Sequence, residues 1–290
     1  MSRRRRKRAT PHSESAPPER AVPGTEAARP ASGGRRLKWA AVLVGLAAVV
    51  AVAAISGVVI LTRPDRTVPK ALIVDQLGQT FPNPTFLNEA GTLLAQAGYR
   101  VYYTPYQNVT VDFYRELGTD DYDIILMRAH VARLRDKATQ KLGDDALLFT
   151  SQPYSDTMYV KEQRARLLTW AAYYEGAELY FGVMPEFITS AVEGNLHGAT
   201  VVLMGCHGLR NDKMAAALVK RGAKVVIGWD DLVSADHSDQ ATERLLQHLI
   251  VDKQSAGEAV AKTMAEVGPD PAYGSTLHLY PAEEAAFTLP

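Results

Sequence analysis

Five residues that could do chemistry follow directly on apolar runs of the chain. Cys206, the only cysteine among 290 residues, comes after TVVLMG, and His130 comes after DIILMRA. Asp75 ends KALIVD, and Asp230 and Asp231 follow KVVIGW. In open parallel sheets, ligands bind beyond the carboxyl ends of the strands, so these side chains are expected at one edge. A thiol, an imidazole and three carboxylates at one edge indicate nucleophilic or acid–base chemistry.

Cys206 is the candidate nucleophile. With no second cysteine, an intramolecular disulfide is impossible, and a lone thiol is unusual in an exported protein. The sequence Met204-Gly205-Cys206-His207-Gly208 is expected to bend between a strand and a helix. We expect the sulfur near the N-terminus of that helix, where unpaired N–H groups favour a thiolate. The alternative is a buried cysteine that packs as a small hydrophobic residue.

His130 is the candidate base. If the strands ending at Met127 and Met204 are neighbours, their axes lie roughly 4.8 Å apart. The imidazole of His130 could then accept the thiol proton and later protonate a leaving amine. The alternatives are that His130 is a surface histidine in a loop, or that His207 is the base. Because adjacent residues seldom point their side chains at each other, we expect His207 to shape the turn.

The elements that position these residues alternate between strand and helix. The predicted core strands are Lys70–Asp75, Arg100–Tyr106, Asp123–Met127, Thr200–Met204 and Lys224–Trp229. Continuous apolar runs separated by helical patterns are typical of a parallel sheet covered on both faces. The sequence therefore predicts an α/β three-layer sandwich with a mostly parallel sheet. An insertion at 132–198 is expected to hold strands Leu147–Ser151 and Glu178–Val183 and a helix Glu162–Tyr174.

A membrane span is predicted before this domain. Residues 39–62 carry no charge. As a helix, a segment of this length can cross a bilayer core. Residues 1–38 hold eleven Lys/Arg and three Glu, a net charge of +8, and the rest of the chain is −8. The positive-inside rule places the N-terminus in the cytoplasm and residues 65–290 outside the cell membrane. A cleaved signal peptide is the alternative, but its apolar region is normally shorter.

The basic segment 1–38 is expected to be disordered, because Pro, Ser, Ala and Glu dominate much of it. Its expected partner is the anionic surface of the lipid bilayer, and nucleic-acid binding is not expected. No oligomeric state is predicted.

The stretch from 200 to 267 resembles a known family. TVVLMGCHG, RGAKVVIGW, SDQATERLL and SAGEAVAKTM are similar in order to the C-terminal half of CHAT domains. These belong to the caspase-like clan of cysteine peptidases. The resemblance implies a Cys206–His130 dyad that attacks a peptide bond. It also implies an oxyanion site and turn near Gly205 and Val131, although the family usually has glycine where this chain has Val131.

The same resemblance suggests where a substrate side chain would bind. In the clan this pocket is lined by residues after the first and fifth core strands, here Asp75 and Asp230 or Asp231, with Trp229 as a wall. A carboxylate at the base of a pocket pairs with a basic side chain, so Arg or Lys is expected at P1. The alternatives are that the aspartates stabilise turns and that Trp229 belongs to the core.

The leading hypothesis is a membrane-anchored cysteine endopeptidase acting on a protein or peptide. A catalytically silent binding or scaffold module of the same fold, or a small-molecule sensor domain, is the alternative. No cofactor or metal is predicted, since the cluster of Asp236, His237 and Asp239 lacks the alternating ligands of a calcium loop.

Overall fold

Ten strands and seven helices make up the described part of the chain. The computed structural model describes residues 68–135 and 142–290. The strands are β1 Lys70–Asp75, β2 Arg100–Pro105, β3 Ile124–Arg128, β4 Val131–Arg135, β5 Leu142–Pro153, β6 Leu168–Ala171, β7 Tyr180–Val183, β8 Thr200–Leu203, β9 Val225–Trp229 and β10 Leu277–Tyr280. The helices are α1 Pro84–Gln96, α2 Val111–Glu116, α3 Val160–Arg164, α4 Pro185–Ser190, α5 Lys213–Lys220, α6 Ala235–Leu246, which continues as a π-helical turn Gln247–Val251, and α7 Ala256–Val267.

Six strands form the main sheet in the order β10-β9-β8-β3-β1-β2. The five core strands predicted from the sequence pair in parallel, and β10 joins the edge antiparallel to β9. Parallel neighbours need crossover connections, which the helices between the strands supply. The prediction of an α/β fold with a mostly parallel sheet is confirmed at this level.

Both faces of the four central strands β1, β3, β8 and β9 of the main sheet are buried. On one face, alternate residues such as Leu72 and Ile125 share a core with side chains of α2 and α5. On the other, Ile73 and Leu126 pack with side chains of α1, α6 and α7. Because side chains of a strand alternate between faces, a run that is apolar at every position is buried on both sides. This is the physical reason why these strands were readable from sequence.

A second sheet arises from the segment predicted as an insertion. Its four strands are antiparallel in the order β4-β5-β7-β6. The predicted strands at 147–151 and 178–183 correspond to parts of β5 and to β7. The predicted helix Glu162–Tyr174 is wrong, since only α3 is helical and β6 follows it. Pairing of Leu168 with Val183 and of Ala171 with Tyr180 overrides the local helical preference.

The predicted membrane span at 39–62 and the basic segment before it lie outside the described residues. Among residues 68–135 and 142–290, no helix has both the length and the apolar character needed to cross a bilayer.

Candidate functional site

Strands β3 and β8 bring the ends that precede His130 and Cys206 side by side. Met127 pairs with Leu203, and the amide of Met204 donates to the carbonyl of Met127 at 3.0 Å. His130 and Cys206 each come three residues further along the chain, beyond the last paired positions of β3 and β8. Neighbouring strands lie about 4.8 Å apart, so the two segments leave the sheet next to each other.

Gly205 permits this close approach of the two strand ends. A Cβ atom at this position would lie 2.1 Å from the carbonyl oxygen of Ala129 and 3.0 Å from the amide nitrogen of Val131. Both are backbone atoms that cannot move without shifting the strand end. Glycine is therefore required at this position by packing between the segments that carry His130 and Cys206.

One cavity of about 850 Å³ is lined by both residues. Val131 and His207 also line it, and most of the remaining wall comes from the four-stranded sheet and the loops beside it. The main sheet therefore supplies the residues that could react, and the second sheet supplies the enclosure. A pocket of this size is in the range of small-molecule and peptide side-chain sites.

The thiol of Cys206 is half-buried and makes its hydrogen bonds with the backbone of Val233. It accepts from the amide of Val233 at 3.4 Å and donates to the carbonyl of Val233 at 3.5 Å. Burial raises the pKa of the thiol, only partly offset by those backbone contacts. The expected helix N-terminus is absent here, because α5 begins at Lys213, seven residues further on. The thiol therefore lacks the helix dipole expected to favour a thiolate, and its raised pKa favours the protonated form.

His130 is held by contacts from three directions. Its amide donates to Gln76 Oε1 at 2.9 Å, and its Nε2 lies 3.0 Å from Thr80 Oγ1. Its ring packs against Tyr173 and Phe149, with centroids 4.6 and 5.6 Å away. Burial, and secondarily the charge of Arg128, lowers the pKa of His130 to about 4. The imidazole is therefore neutral at pH 7, and its lowered pKa makes it a weaker base than an ordinary histidine.

The cysteine and histidine side chains face one cavity without a direct bond between them. Within the described residues, no hydrogen bond joins His130 to Cys206. Catalytic hydrogen bonds often tighten only when substrate is bound, so the separation alone does not decide between a reactive and a silent pair.

His207, which follows Cys206 in the chain, is the alternative candidate base. Its backbone has a positive φ of 58°, and its amide donates to the carbonyl of Asp231 at 2.8 Å. Its Nδ1 lies 3.1 Å from Asp231 Oδ1, close enough for an ion pair but outside hydrogen-bond geometry. Burial lowers the pKa of His207, although Asp231 opposes this. The turn-shaping role expected for His207 fits its backbone, and its ring also reaches the cavity wall.

Arg128, which the sequence analysis overlooked, lies at the end of β3 with no exposed side-chain surface. Its Nη1 donates to Asp75 Oδ1 at 2.7 Å, and its Nε and Nη2 donate to the two oxygens of Asp239 at 2.8 Å each. Asp75 also accepts from Tyr103 at 3.3 Å. The only signal in the sequence was a cation that directly follows a buried apolar run.

This network changes the role expected for Asp75. The carboxylate is buried and bound to Arg128, and it is not part of the cavity lining. Breaking a buried ion pair leaves an uncompensated charge, which is strongly unfavourable. Asp75 therefore stabilises the end of the sheet rather than standing ready to bind a basic side chain.

The other residues expected to bind substrate also lie outside the lining of this cavity. Asp230 accepts from both the amide and the hydroxyl of Thr276, at 2.8 and 2.9 Å. Trp229 is buried in the core, where its Nε1 donates to Ser238 at 3.0 Å. Asp231 is the most exposed of the three aspartates considered, but it is bound by Arg210 and borders His207. Backbone and Arg210 contacts outweigh its burial and lower the pKa of Asp231.

Gln76 and Tyr173 are two further residues that sequence reasoning missed. Gln76 is fully buried after β1, and its Nε2 donates to the hydroxyl of Tyr173 at 3.0 Å. Through Gln76, the His130 backbone is therefore linked to the second sheet. Nothing in the local sequence signals this contact, since the two residues are 97 positions apart.

The described residues include no group of three or more His, Cys, Asp or Glu side chains arranged to hold a metal ion. Asp239 from the cluster noted in the sequence is the partner of Arg128, and His237 Nε2 lies 3.2 Å from the carbonyl of Gly268.

No family model matches the chain, and no curated protein matches it.

Proposed function

We propose that the chain is a membrane-anchored cysteine endopeptidase with a caspase-like three-layer fold, in which Cys206 is the nucleophile and His130 the base. The observation that supports the proposal is the close approach of Gly205 to the backbone of Ala129 and Val131, with His130 and Cys206 both on the wall of one cavity. A nucleophile and a base on adjacent strand ends are the pair that acyl transfer needs.

The proposed reaction begins with the thiol rather than a thiolate. As the sulfur of Cys206 attacks the carbonyl carbon, its proton passes to His130. The tetrahedral intermediate collapses with cleavage of the C–N bond, and His130 returns the proton to the leaving amine. Water then attacks the thioester with His130 again accepting a proton, which releases the carboxylic acid and restores the thiol. Backbone N–H groups near Gly205 and Val131 are the proposed oxyanion donors.

Thr80 favours the tautomer of His130 that this reaction requires. The hydroxyl of Thr80 lies 3.5 Å from the carbonyl of Leu77 and 3.0 Å from His130 Nε2. A hydroxyl that donates to Leu77 accepts from the ring, which places the histidine proton on Nε2. The lone pair is then on Nδ1, which is the atom of the ring that can accept a proton.

A preference for Arg or Lys at P1 does not enter the proposal. It depended on Asp75, Asp230 and Asp231, and the first two are bound by Arg128 and Thr276. The third is paired with Arg210. A carboxylate already engaged inside the protein is a poor partner for a substrate cation, because the existing pair would have to be broken.

A catalytically silent binding module is the second candidate. The observation that favours it is the bonding of Cys206 to Val233, together with the raised pKa of the thiol. In this case the cavity would bind a peptide without cleaving it.

Labelling of the single cysteine separates the two candidates. The full chain is treated with iodoacetamide at pH 7 and at pH 8.5, and its mass is followed with and without urea. A nucleophile activated by His130 labels in the folded protein, and His130→Gln slows the labelling. The same preparations are incubated with a pool of fluorogenic peptides, with Cys206→Ala as the blank. Labelling only after unfolding, with no peptide cleaved, would assign the binding module.

The proposed anchor is tested separately from the chemistry. Residues 39–62 are proposed to span the cell membrane with the N-terminus in the cytoplasm, and the bilayer is the expected partner. The chain should then resist extraction of membranes by alkaline carbonate. A protease added outside intact cells should degrade the segment 65–290. Release by carbonate would contradict the anchor.

A further inference from the structure

The charged side chains that line the cavity are all basic. Arg133, Arg164 and Arg166 contribute to its wall, and within the described residues no carboxylate does so. His130 and His207, the two cavity histidines, have lowered pKa values and add no positive charge at neutral pH. A concave surface with one sign of charge concentrates ligands of the opposite sign.

Arg164 and Arg166 are available to bind a ligand. Both are exposed, and neither makes an ion pair or side-chain hydrogen bond with another described residue. Nearby acidic groups are already engaged by other arginines. Glu162 is bound by Arg115 at 3.0 Å, and Asp231 by Arg210. The positive charge at this end of the cavity is therefore not neutralised from within the described part of the chain.

A hydrogen-bonded turn sets the backbone positions of Arg164 and Arg166. Helix α3 ends at Arg164, and Arg166 has a positive φ of 59° before β6 begins at Leu168. The turn is tied by the amide of Arg166 to the carbonyl of Gln163 at 3.1 Å. Two guanidinium groups two residues apart on a bonded turn suit carboxylates spaced along an extended chain.

The wall beside the arginines suits a peptide. Phe149 and Tyr173 stack with their ring centroids 5.1 Å apart and an interplanar angle of 11°, and both line the cavity. Phe149 is buried, so the half-buried Tyr173 is the ring of this pair that can cover aliphatic parts of a ligand while the guanidinium groups bind its charges.

We propose that this cavity binds an acidic peptide segment, with its carboxylates paired to Arg164 and Arg166 and its backbone passing Cys206. The ligand is taken to be a peptide on the basis of the proposed function, whereas its negative charge follows from the cavity itself. Arg133 also lines the cavity, and its charge acts on His207.

Binding without turnover tests this inference. The full chain carrying Cys206→Ala is titrated, by fluorescence anisotropy at low salt, into three fluorescein-labelled peptides that differ only in three central residues, which are Glu, Gln or Lys. We expect the Glu peptide to bind at least about tenfold tighter than the other two. Arg164→Glu and Arg166→Glu should each remove most of that advantage, while Arg164→Lys should keep part of it.

Arg100→Glu is the matched control, since Arg100 is also exposed but lies on β2, outside the cavity lining. It should leave the affinity unchanged. Equal binding of the three peptides, or an equal loss in the Arg100 variant, overturns the inference. Tighter binding of a single-stranded oligonucleotide of matched charge does the same and would assign a nucleic-acid ligand.

The outcomes separate this inference from the proposed function. If the acidic peptide binds as expected but the wild-type chain cleaves nothing, the ligand class stands and the peptidase fails. If the wild-type chain cleaves peptides without regard to acidic residues, the peptidase stands and the ligand class fails.

Discussion

The six-stranded and four-stranded sheets contribute different parts of the cavity, and they differ in how deeply their residues are buried. In the main sheet, His130 and Cys206 follow strands that are buried on both faces and paired in parallel. The four-stranded sheet carries the half-exposed wall, including Arg133, and the loop beside it carries Tyr173. His130 and Cys206 are placed by the strand ends of the main sheet, whereas the enclosure depends on side chains of the second sheet and its loops. Such a division lets an insertion change the cavity wall while His130 and Cys206 stay in place.

The largest expected effect on stability comes from the buried ion pairs of Arg128, at the end of β3. Arg128→Leu leaves Asp75 and Asp239 buried without their cation. We expect the free energy of unfolding to fall by about 3–5 kcal/mol. Urea unfolding followed by circular dichroism measures it. Arg100→Leu, at an exposed position of β2, should change stability by less than about 0.5 kcal/mol. A loss below about 1 kcal/mol for the Arg128 variant would show that this end of the sheet does not depend on the network.

The pH dependence of stability tests whether His130 is held neutral. Its pKa is about 4 in the folded protein against an ordinary value of 6.5. The unfolded chain therefore takes up this proton first as the pH falls. The folded state loses up to about 3 kcal/mol between pH 6.5 and 4, and retains that stability above pH 6.5.

His130→Gln removes this contribution, so its stability should fall less steeply over the same range in chemical unfolding at pH 7, 5.5 and 4. His197→Gln serves as the control, because His197 is exposed. Parallel curves for wild type and the His130 variant would argue that the imidazole is not buried as described.

The close approach of the two strand ends is tested by adding one methyl group. Gly205→Ala forces a Cβ against the backbone of Ala129. We expect a loss of about 1–3 kcal/mol in the free energy of unfolding, and a changed rate of Cys206 labelling, because the strand ends must separate.

Gly91→Ala is the contrasting control for that substitution. Gly91 lies in α1 with no atom within 4 Å of an added Cβ, so the change should stabilise the protein by up to about 1 kcal/mol. If Gly205→Ala is as well tolerated, the two ends are not in close contact.

The smallest effect is expected at the link between the sheets. Tyr173→Phe removes the acceptor of Gln76, which should cost about 1 kcal/mol. Hydrogen exchange should show faster opening in β6 and β7 and no change in β3 and β8. Tyr174→Phe is the control, because Tyr174 is 72% exposed. Equal changes in both sheets would mean that they unfold as one unit.

The sequence by itself determined the main sheet and the two residues at its centre. Strands buried on both faces are apolar at every position, which makes them visible without any knowledge of their neighbours. The rule that ligands bind beyond the carboxyl ends of such strands then singled out His130 and Cys206. The structure places both on one cavity, and whether they react is what the labelling experiment decides.

The insertion was less readable because its order depends on contacts between distant segments. The stretch 162–174 has a helical pattern, but pairing between Leu168 and Val183 makes part of it a strand. Strand β4 begins immediately after His130 and pairs antiparallel with β5, which begins at Leu142. Half-exposed antiparallel strands carry mixed residues, so their pattern competes poorly with local helical preference.

Only the tertiary structure decided the roles of the charged groups. Asp75 and Asp239 lie 164 positions apart in the chain, yet both are bound to Arg128. The sequence around a carboxylate at a strand end does not show whether the carboxylate faces a ligand or a buried cation. The partner that decides this lies on another strand or helix. The same reason hides the basic lining of the cavity, which combines Arg133, Arg164 and Arg166 from separate parts of the insertion with a thiol from the main sheet.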